Sequence, residues 1–95
     1  MEEQIIFMEE QINALIENGK YDEAISLISS KLDSDNENDS LYFIRGKVYW
    51  KKGLRKEAMN DYASAIRLNP DSPANIALEQ AKDVASFFNP DLLNP

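Results

Sequence analysis

Residues 19–32 read GKYDEAISLISSKL, and residues 53–66 read GLRKEAMNDYASAI, an altered copy of the same pattern. A glycine, a glutamate and an alanine recur at one constant offset between the two stretches. These pairs are Gly19 with Gly53, Glu23 with Glu57, and Ala24 with Ala58. In both copies the apolar residues follow the spacing of one helix face. A fixed offset of this length indicates a duplicated helical unit.

Turn-forming residues around the two copies divide the chain into five predicted helices. We expect them at about Glu2–Asn18, Tyr21–Leu32, Asp39–Lys52, Arg55–Leu68 and 73–88. Gly19 and Gly53 would end the first and third helices. The polar stretch DSDNENDS, residues 33–40, is a predicted loop, with Asp39 or Ser40 as N-cap of the third helix. The predicted fold is all-α, in a single domain.

The second copy carries a spaced set of aromatic, small and turn residues. The set consists of Tyr42, Gly46, Tyr49, Gly53, Ala58, Tyr62, Ala65 and Pro70. It closely resembles a tetratricopeptide repeat over residues 39–72. The first copy is similar to the family over GKYDEAI, which contains Gly19 and Ala24, but Ile12 stands where the family places glycine or alanine.

The resemblance implies a right-handed α-solenoid segment made of two repeats, a capping helix and a tail. The expected boundaries are about 2–35 and 39–72 for the repeats, 73–88 for the capping helix and 89–95 for the tail. We expect the small residues of the set to lie at close helix crossings and the tyrosines to fill the gaps around them. Arg45 stands where the family usually has leucine. Its aliphatic stem should pack while its guanidinium reaches water or an acid.

The resemblance also implies a concave groove, lined by the first helices of successive hairpins, that binds an extended peptide or a partner helix. The matching positions are Ile6, Glu9, Asn13, Ile16 and Glu17, then Ser40, Phe43, Lys47, Trp50 and Lys51. The candidate binding residues are Asn13, Phe43, Lys47, Trp50, Lys51 and, from the fifth helix, Lys82. Trp50 is either an anchor for the partner or a packed residue, and Lys47 and Lys51 are either partner contacts or a solvated face.

The fifth helix can be aligned with the repeat in two registers. Strict alignment by the offset of the two copies would bury Glu79 and Gln80, which costs free energy. A shift of one position instead buries an apolar stripe at helical spacing, and we favour it. The stripe consists of Ala77, Ala81, Val84 and Phe88. This register turns Leu78 and Lys82 toward the groove, so that Lys82 would approach Trp50.

Composition excludes several classes of function. The 95 residues contain no cysteine and no histidine, which rules out disulfides, zinc fingers and Ser-His-Asp catalysis. The chain has no glycine-rich nucleotide motif and no calcium loop, so we expect no cofactor and no metal. Glu57 and Asp61 lie one turn apart on the predicted fourth helix and are interpreted as solvated charges. We therefore expect no enzyme activity.

Charge is distributed unevenly along the chain. The net charge of −7 combines −9 in residues 1–40, +5 in residues 41–67 and −3 in residues 68–95. RGKVYWKKGLRK, residues 45–56, mixes aromatic and basic residues as single-stranded RNA binders do, but only one helix is basic. We therefore expect no nucleic-acid partner. The chain has no apolar run of membrane-spanning length and no basic leader, which predicts a cytoplasmic protein without a membrane partner.

These observations predict a non-catalytic module that binds protein or peptide. The basic aromatic patch favours an acidic or C-terminal peptide, although Glu9 stands where a carboxylate clamp would want a basic residue. The alternative is self-association as a weak homodimer through the oppositely charged segments. Apolar residues near the end could serve this contact or fold back over the last helix; they are Phe87, Phe88, Leu92 and Leu93. Whether the tail NPDLLNP occupies the groove stays open.

Overall fold

The computed structural model describes residues 2–88, with side chains for residues 9–83, and within that range the chain forms α-helices and no strand. The helices are α1 (Glu2–Glu17), α2 (Tyr21–Ser34), α3 (Asp39–Lys52), α4 (Arg55–Leu68) and α5 (Ala74–Phe88). The all-α prediction is confirmed. Each predicted helix ends within about two residues of the observed bounds, which is the usual uncertainty of helix termini.

The two copies of the repeat end their first helices with the same backbone turn. Gly19 has φ 72° and Gly53 has φ 90°, a left-handed conformation that glycine adopts without strain. After each glycine, the next backbone N–H bonds to the carbonyl five residues earlier, at 2.8 Å in the first turn and 2.9 Å in the second. Each turn is a Schellman motif. The sequence repeat therefore has a matching structural repeat.

The N-cap of α3 is Asn38, not Asp39 or Ser40 as predicted. The side-chain oxygen of Asn38 accepts the N–H of Leu41 at 3.3 Å, and its side-chain amide donates to Asp35 at 2.9 Å. Asn38 has an extended backbone, whereas Asp39 is already helical. The prediction was wrong because the polar loop offers several residues suited to capping, and only the backbone path selects one of them.

Replacing Asn38 with alanine should lower the free energy of unfolding by about 1 kcal/mol, because the N–H of Leu41 loses its side-chain acceptor. Urea denaturation followed by circular dichroism measures the change. Asn36→Ala, at an exposed position of the same loop, is the matched control and should stay within about 0.5 kcal/mol of the wild type. An equal loss in both variants would contradict the assigned cap.

Two clusters of buried side chains hold the helices together. The first joins α1, α2 and α3 and contains Ile12, Ala24, Ile28, Leu32, Leu41 and Val48. The second joins α4 and α5 and contains Ala58, Tyr62, Ala65, Ala74 and Ala81. Aromatic residues of α3 pack against the second cluster, and Tyr42 packs against both. Helix α3 therefore connects the two halves of the core.

Gly46 lies where α3 crosses α4 at close range. A β-carbon built on Gly46 would come 2.7 Å from Cε1 of Tyr62 and 3.2 Å from the carbonyl oxygen of Ala58. The missing side chain thus makes room for a tyrosine ring. In the first repeat, the positions equivalent to Gly46 and Tyr62 hold Ile12 and Ile28, which are 1% and 0% exposed. Two medium side chains there replace one absent and one large side chain, and the total number of side-chain heavy atoms is the same.

Candidate functional site

A groove of about 480 Å³ lies between α1 and α3, the first helices of the two hairpins. Its lining comes from both helices and consists of Glu9, Ile12, Asn13, Ile16, Glu17, Ser40, Phe43, Ile44, Lys47 and Lys51. Many of these residues are spaced by three or four positions, which places them along one face of each helix. The groove therefore spans both repeats, and neither hairpin forms it alone.

The apolar part of the lining combines side chains from both helices. Ile12 is 1% exposed, whereas Ile16, Phe43 and Ile44 are half-buried and remain accessible from the groove. The rings of Phe43 and Tyr62 are tilted against each other, with centroids 6.1 Å apart. Because Tyr62 packs beside Gly46, the crossing of α3 and α4 supports the position of Phe43 in the groove.

Charged side chains of opposite sign lie on the two sides of this groove. Helix α1 contributes Glu9 and Glu17, and helix α3 contributes Lys47 and Lys51, all four exposed. The ammonium nitrogen of Lys47 lies 5.2 Å from the ring centroid of Phe43, within cation–π range. The groove thus has an acidic wall and a basic wall with apolar side chains between them.

The structure brings together four of the six predicted binding residues. Asn13, Phe43, Lys47 and Lys51 line the groove, and Trp50 and Lys82 are not among its lining residues. Ile12 and Ile44 also line the groove, and the sequence reasoning did not assign them to it. The available signal was helical spacing, since Ile12 lies three residues after Glu9 and Ile44 lies four residues after Ser40. Ile6 lies outside the side chains that the structure describes.

Arg45 and Asp61 form an ion pair that links α3 to α4. Nε and Nη2 of Arg45 donate to the two carboxylate oxygens of Asp61 at 2.7 and 2.8 Å, a bidentate arrangement. Nη1 of Arg45 donates to the hydroxyl of Ser29 on α2 at 3.1 Å. The guanidinium carbon also lies 5.6 and 5.8 Å from the ring centroids of Tyr42 and Tyr49. One side chain at the position where the family usually has leucine therefore connects three helices.

The interpretation of Asp61 as a solvated charge is wrong. Asp61 is only 5% exposed, and its carboxylate is paired with Arg45. The i, i+4 spacing from Glu57 pointed to an exposed helix face, because lysine and arginine surround this stretch of sequence. The true partner is 16 residues away on another helix, and only the folded arrangement of α3 and α4 shows it.

The pKa values of two residues near Asp61 are shifted, those of Arg45 and Tyr62. The hydrogen bond and charge of Asp61 raise the pKa of Arg45 against the opposing effect of burial. Burial raises the pKa of the Tyr62 phenol, and the nearby Asp61 carboxylate raises it further. Both residues therefore keep their protons throughout the physiological pH range.

The raised pKa of Tyr62 should make the chain lose stability above pH 10. An unfolded tyrosine ionises near pH 10, whereas folded Tyr62 stays protonated to higher pH. The stabilisation is fully present below pH 10 and declines above it, because the unfolded state then binds fewer protons than the folded state. Urea midpoints measured from about pH 8 to about pH 11, on both sides of the ordinary tyrosine pKa of about 10, should fall less steeply with pH for Tyr62→Phe than for the wild type. Identical slopes for both proteins would contradict the shift.

Comparisons with known proteins agree with this architecture. Residues 39–72 match the family model of the tetratricopeptide repeat. The solution NMR structure of Bacteroides fragilis protein BF1650 is similar with 36% sequence identity and a TM-score of 0.80, and the similarity covers 90% of this chain and 87% of that chain. The chain belongs to the tetratricopeptide repeat family. No curated protein sequence gives a significant match.

Tetratricopeptide repeats generally mediate protein–protein interaction. The matched tetratricopeptide repeat supplies the α3 side of the groove, whereas the α1 side lies outside the matched residues. Between residues 2 and 88, no helix is both long enough and apolar enough to cross a membrane. The described side chains, those of residues 9–83, contain no cluster of acidic residues suited to holding a metal ion.

Trp50 of this tetratricopeptide repeat packs against the second core cluster and is half-buried. The guanidinium carbon of Arg55, on α4, lies 5.4 Å from its ring centroid. The sequence reasoning did not single out Arg55. Of the two earlier interpretations of Trp50, packing accounts for its described contacts, and Trp50 is absent from the lining of the α1–α3 groove.

Helix α5 follows the shifted register at the positions whose side chains the structure describes. Of the predicted stripe, Ala81 is 2% exposed and Ala77 is half-buried against the second cluster, whereas Glu79 and Gln80 are exposed. Leu78 packs against the second cluster instead of facing the α1–α3 groove as predicted, and Lys82 is exposed. Several predictions fall outside the described side chains; they concern Val84, Phe87, Phe88, Leu92, Leu93 and the tail 89–95.

Proposed function

We propose that this tetratricopeptide repeat protein binds a peptide segment of a partner protein in the α1–α3 groove, without catalysing a reaction. The observation that carries the proposal is the groove itself, which joins accessible apolar side chains to polar and charged ones along two helices. Partner segments commonly bind in such grooves through apolar anchors, with polar contacts fixing their position. The general role of the family in protein–protein interaction supports this function.

Asn13 and Ser40 suit the recognition of a peptide, because both are exposed and line the groove. The Asn13 amide can donate and accept hydrogen bonds, so it can pair with polar groups of a bound segment. Phe43 offers an aromatic surface beside these groups. Aromatic residues that a partner covers completely at the centre of an interface often carry a large share of the binding energy.

Selection from a random peptide library, followed by NMR mapping of the selected peptides on the labelled chain, tests this proposal. We expect the largest amide shifts at Asn13, Phe43 and Lys47. Lys47→Glu should alter the affinity of these peptides, whereas Lys56→Glu, at an exposed position on α4 outside the groove, should not. Shifts confined to α4 and α5 would overturn the proposal.

Self-association is a second candidate function. Ile76 on α5 is 66% exposed, an unusual position for a large apolar side chain, and the acidic and basic segments of two copies would attract each other. Light scattering at low and high salt tests this candidate. A monomer at every protein concentration would eliminate it.

A further inference from the structure

The α1–α3 groove carries its two signs of charge on separate helices. Glu9 and Glu17 of α1 are two turns apart, about 12 Å along the helix axis. Lys47 and Lys51 of α3 are one turn apart, about 6 Å along the helix axis. All four side chains are exposed, so they are available to a bound partner.

A partner segment of a single charge sign fits this arrangement poorly. An acidic segment would be attracted to Lys47 and Lys51 but would lie against the carboxylates of Glu9 and Glu17. A basic segment would be attracted to Glu9 and Glu17 but would lie against the ammonium groups of Lys47 and Lys51. Like charges placed side by side across an interface disfavour the complex and thereby select against the wrong partner.

We propose that the groove selects an amphipathic helix whose acidic and basic residues lie on opposite flanks of its apolar face. Its acidic flank would lie along Lys47 and Lys51, and its basic flank along Glu9 and Glu17. This inference rests on the proposed function, since it names the class of partner for the same groove. It replaces the earlier expectation of an acidic peptide with a partner that carries both signs of charge.

The helical form of the partner follows from the shape of the site. Amphipathic helices commonly lay their apolar face into a hydrophobic groove of this kind. The accessible apolar residues that would receive this face are Ile16 on α1, and Phe43 and Ile44 on α3. Charged residues that flank an apolar seam between packed helices set partner choice and orientation. The glutamates of α1 and the lysines of α3 flank the apolar lining of the groove in the same way.

The test uses four synthetic peptides of about 14 residues, enough for about four helical turns. All share one apolar stripe. The first carries glutamates on one flank and lysines on the other, and the second has the same composition with both charges mixed on each flank. The third carries only glutamates and the fourth only lysines. Opposite charges at i, i+4 stabilise a helix, so helix formation alone favours the mixed peptide. A difference in helix content between the two peptides therefore works against the expected result.

We expect the segregated peptide to bind about tenfold more tightly than the mixed peptide, as the sum of several weak exposed ion pairs. This difference should disappear at about 1 M salt, where screening acts over about 3 Å. Lys47→Glu with Lys51→Glu should make the lysine-only peptide the tightest binder. Adding Glu9→Lys and Glu17→Lys to that variant should restore the preference for the segregated peptide. The control pair Lys56→Glu with Glu10→Lys changes exposed residues outside the groove lining and should leave the order of affinities unchanged.

The outcomes separate this inference from the proposed function. If the mixed or a single-sign peptide binds the wild-type groove as tightly as the segregated one, the inference is wrong while groove binding stands. If library-selected peptides map to the groove but none of the four designed peptides binds, the inference is again wrong. If the selected peptides map elsewhere on the chain, the proposed function fails as well.

Discussion

Asp61→Ala should destabilise the chain by about 3 kcal/mol, the lower end of the range for breaking a buried ion pair. The side chain of Asp61 is 7% exposed and that of Arg45 is 20% exposed, so the remaining guanidinium would be partly desolvated without a counter-charge. The value is placed low in the range because the head of Arg45 retains some contact with water. Urea denaturation measures the loss, and Asp83→Ala, at an exposed position on α5, is the control. The control should change the free energy of unfolding by less than about 0.5 kcal/mol.

The double variant Arg45→Leu with Asp61→Leu separates the ion pair from its surroundings. Replacing both members of a buried pair with apolar residues is often neutral or stabilising, so much of the lost stability should return. Leucine is also the residue that the family usually has at the position of Arg45. Ser29 would lose its bond from Arg45, but it is only half-buried and can bond to water. If the double variant loses as much free energy of unfolding as the two single variants lose together, the two side chains are not coupled.

Gly46→Ile should also cost about 3 kcal/mol, the upper end of the usual overpacking range. Its β-carbon alone would approach Cε1 of Tyr62 to 2.7 Å, and the carbonyl oxygen of Ala58 closes the other side at 3.2 Å. The backbone of α4 cannot move aside as a flexible side chain could. Thermal and urea unfolding measure the loss. Ala63→Ile, at an exposed position on α4, is the matched control and should cost less than about 1 kcal/mol.

The first repeat suggests how to rescue Gly46→Ile. Combining it with Tyr62→Ile copies the pair Ile12 and Ile28, which are buried at the equivalent positions of that repeat. We expect the double variant to be more stable than Gly46→Ile alone, because replacing Tyr62 removes the ring atoms that the side chain at position 46 would overlap. Equal or lower stability in the double variant would mean that the two repeats pack their helices differently.

The groove was largely predictable from the sequence. The resemblance to the repeat placed Asn13, Phe43, Lys47 and Lys51 on the first helices of the two hairpins, and these residues line it. The resemblance also placed Trp50 in the groove, but Trp50 is not among the lining residues. Adjacent Tyr49 and Trp50 lie about 100° apart on the helix and both suit a packed position, so the sequence did not decide between them. The contacts with α4 and α5 decide the environment of Trp50.

The sign pattern of the groove required the structure. The sequence shows an acidic first helix and a basic third helix as two properties of separate segments. Helix packing places the glutamates of α1 and the lysines of α3 on opposite sides of the same groove. This arrangement changes the class of partner that the site suits. Chain composition alone favours an acidic partner, whereas the assembled walls favour one that carries both signs.

Local order along the chain was determined by the sequence itself. Helical periodicity, the glycines at the two turns and the duplicated pattern act over a few neighbouring positions, so they specify the five helices and their hairpins without knowledge of distant contacts. Only the tertiary structure decided which charges are buried and which share a site. Arg45 pairs with Asp61, which is 16 residues away in the sequence. Helix α1 lies beside α3 although α2 separates them in the sequence. Helix packing sets these distances, and sequence spacing does not.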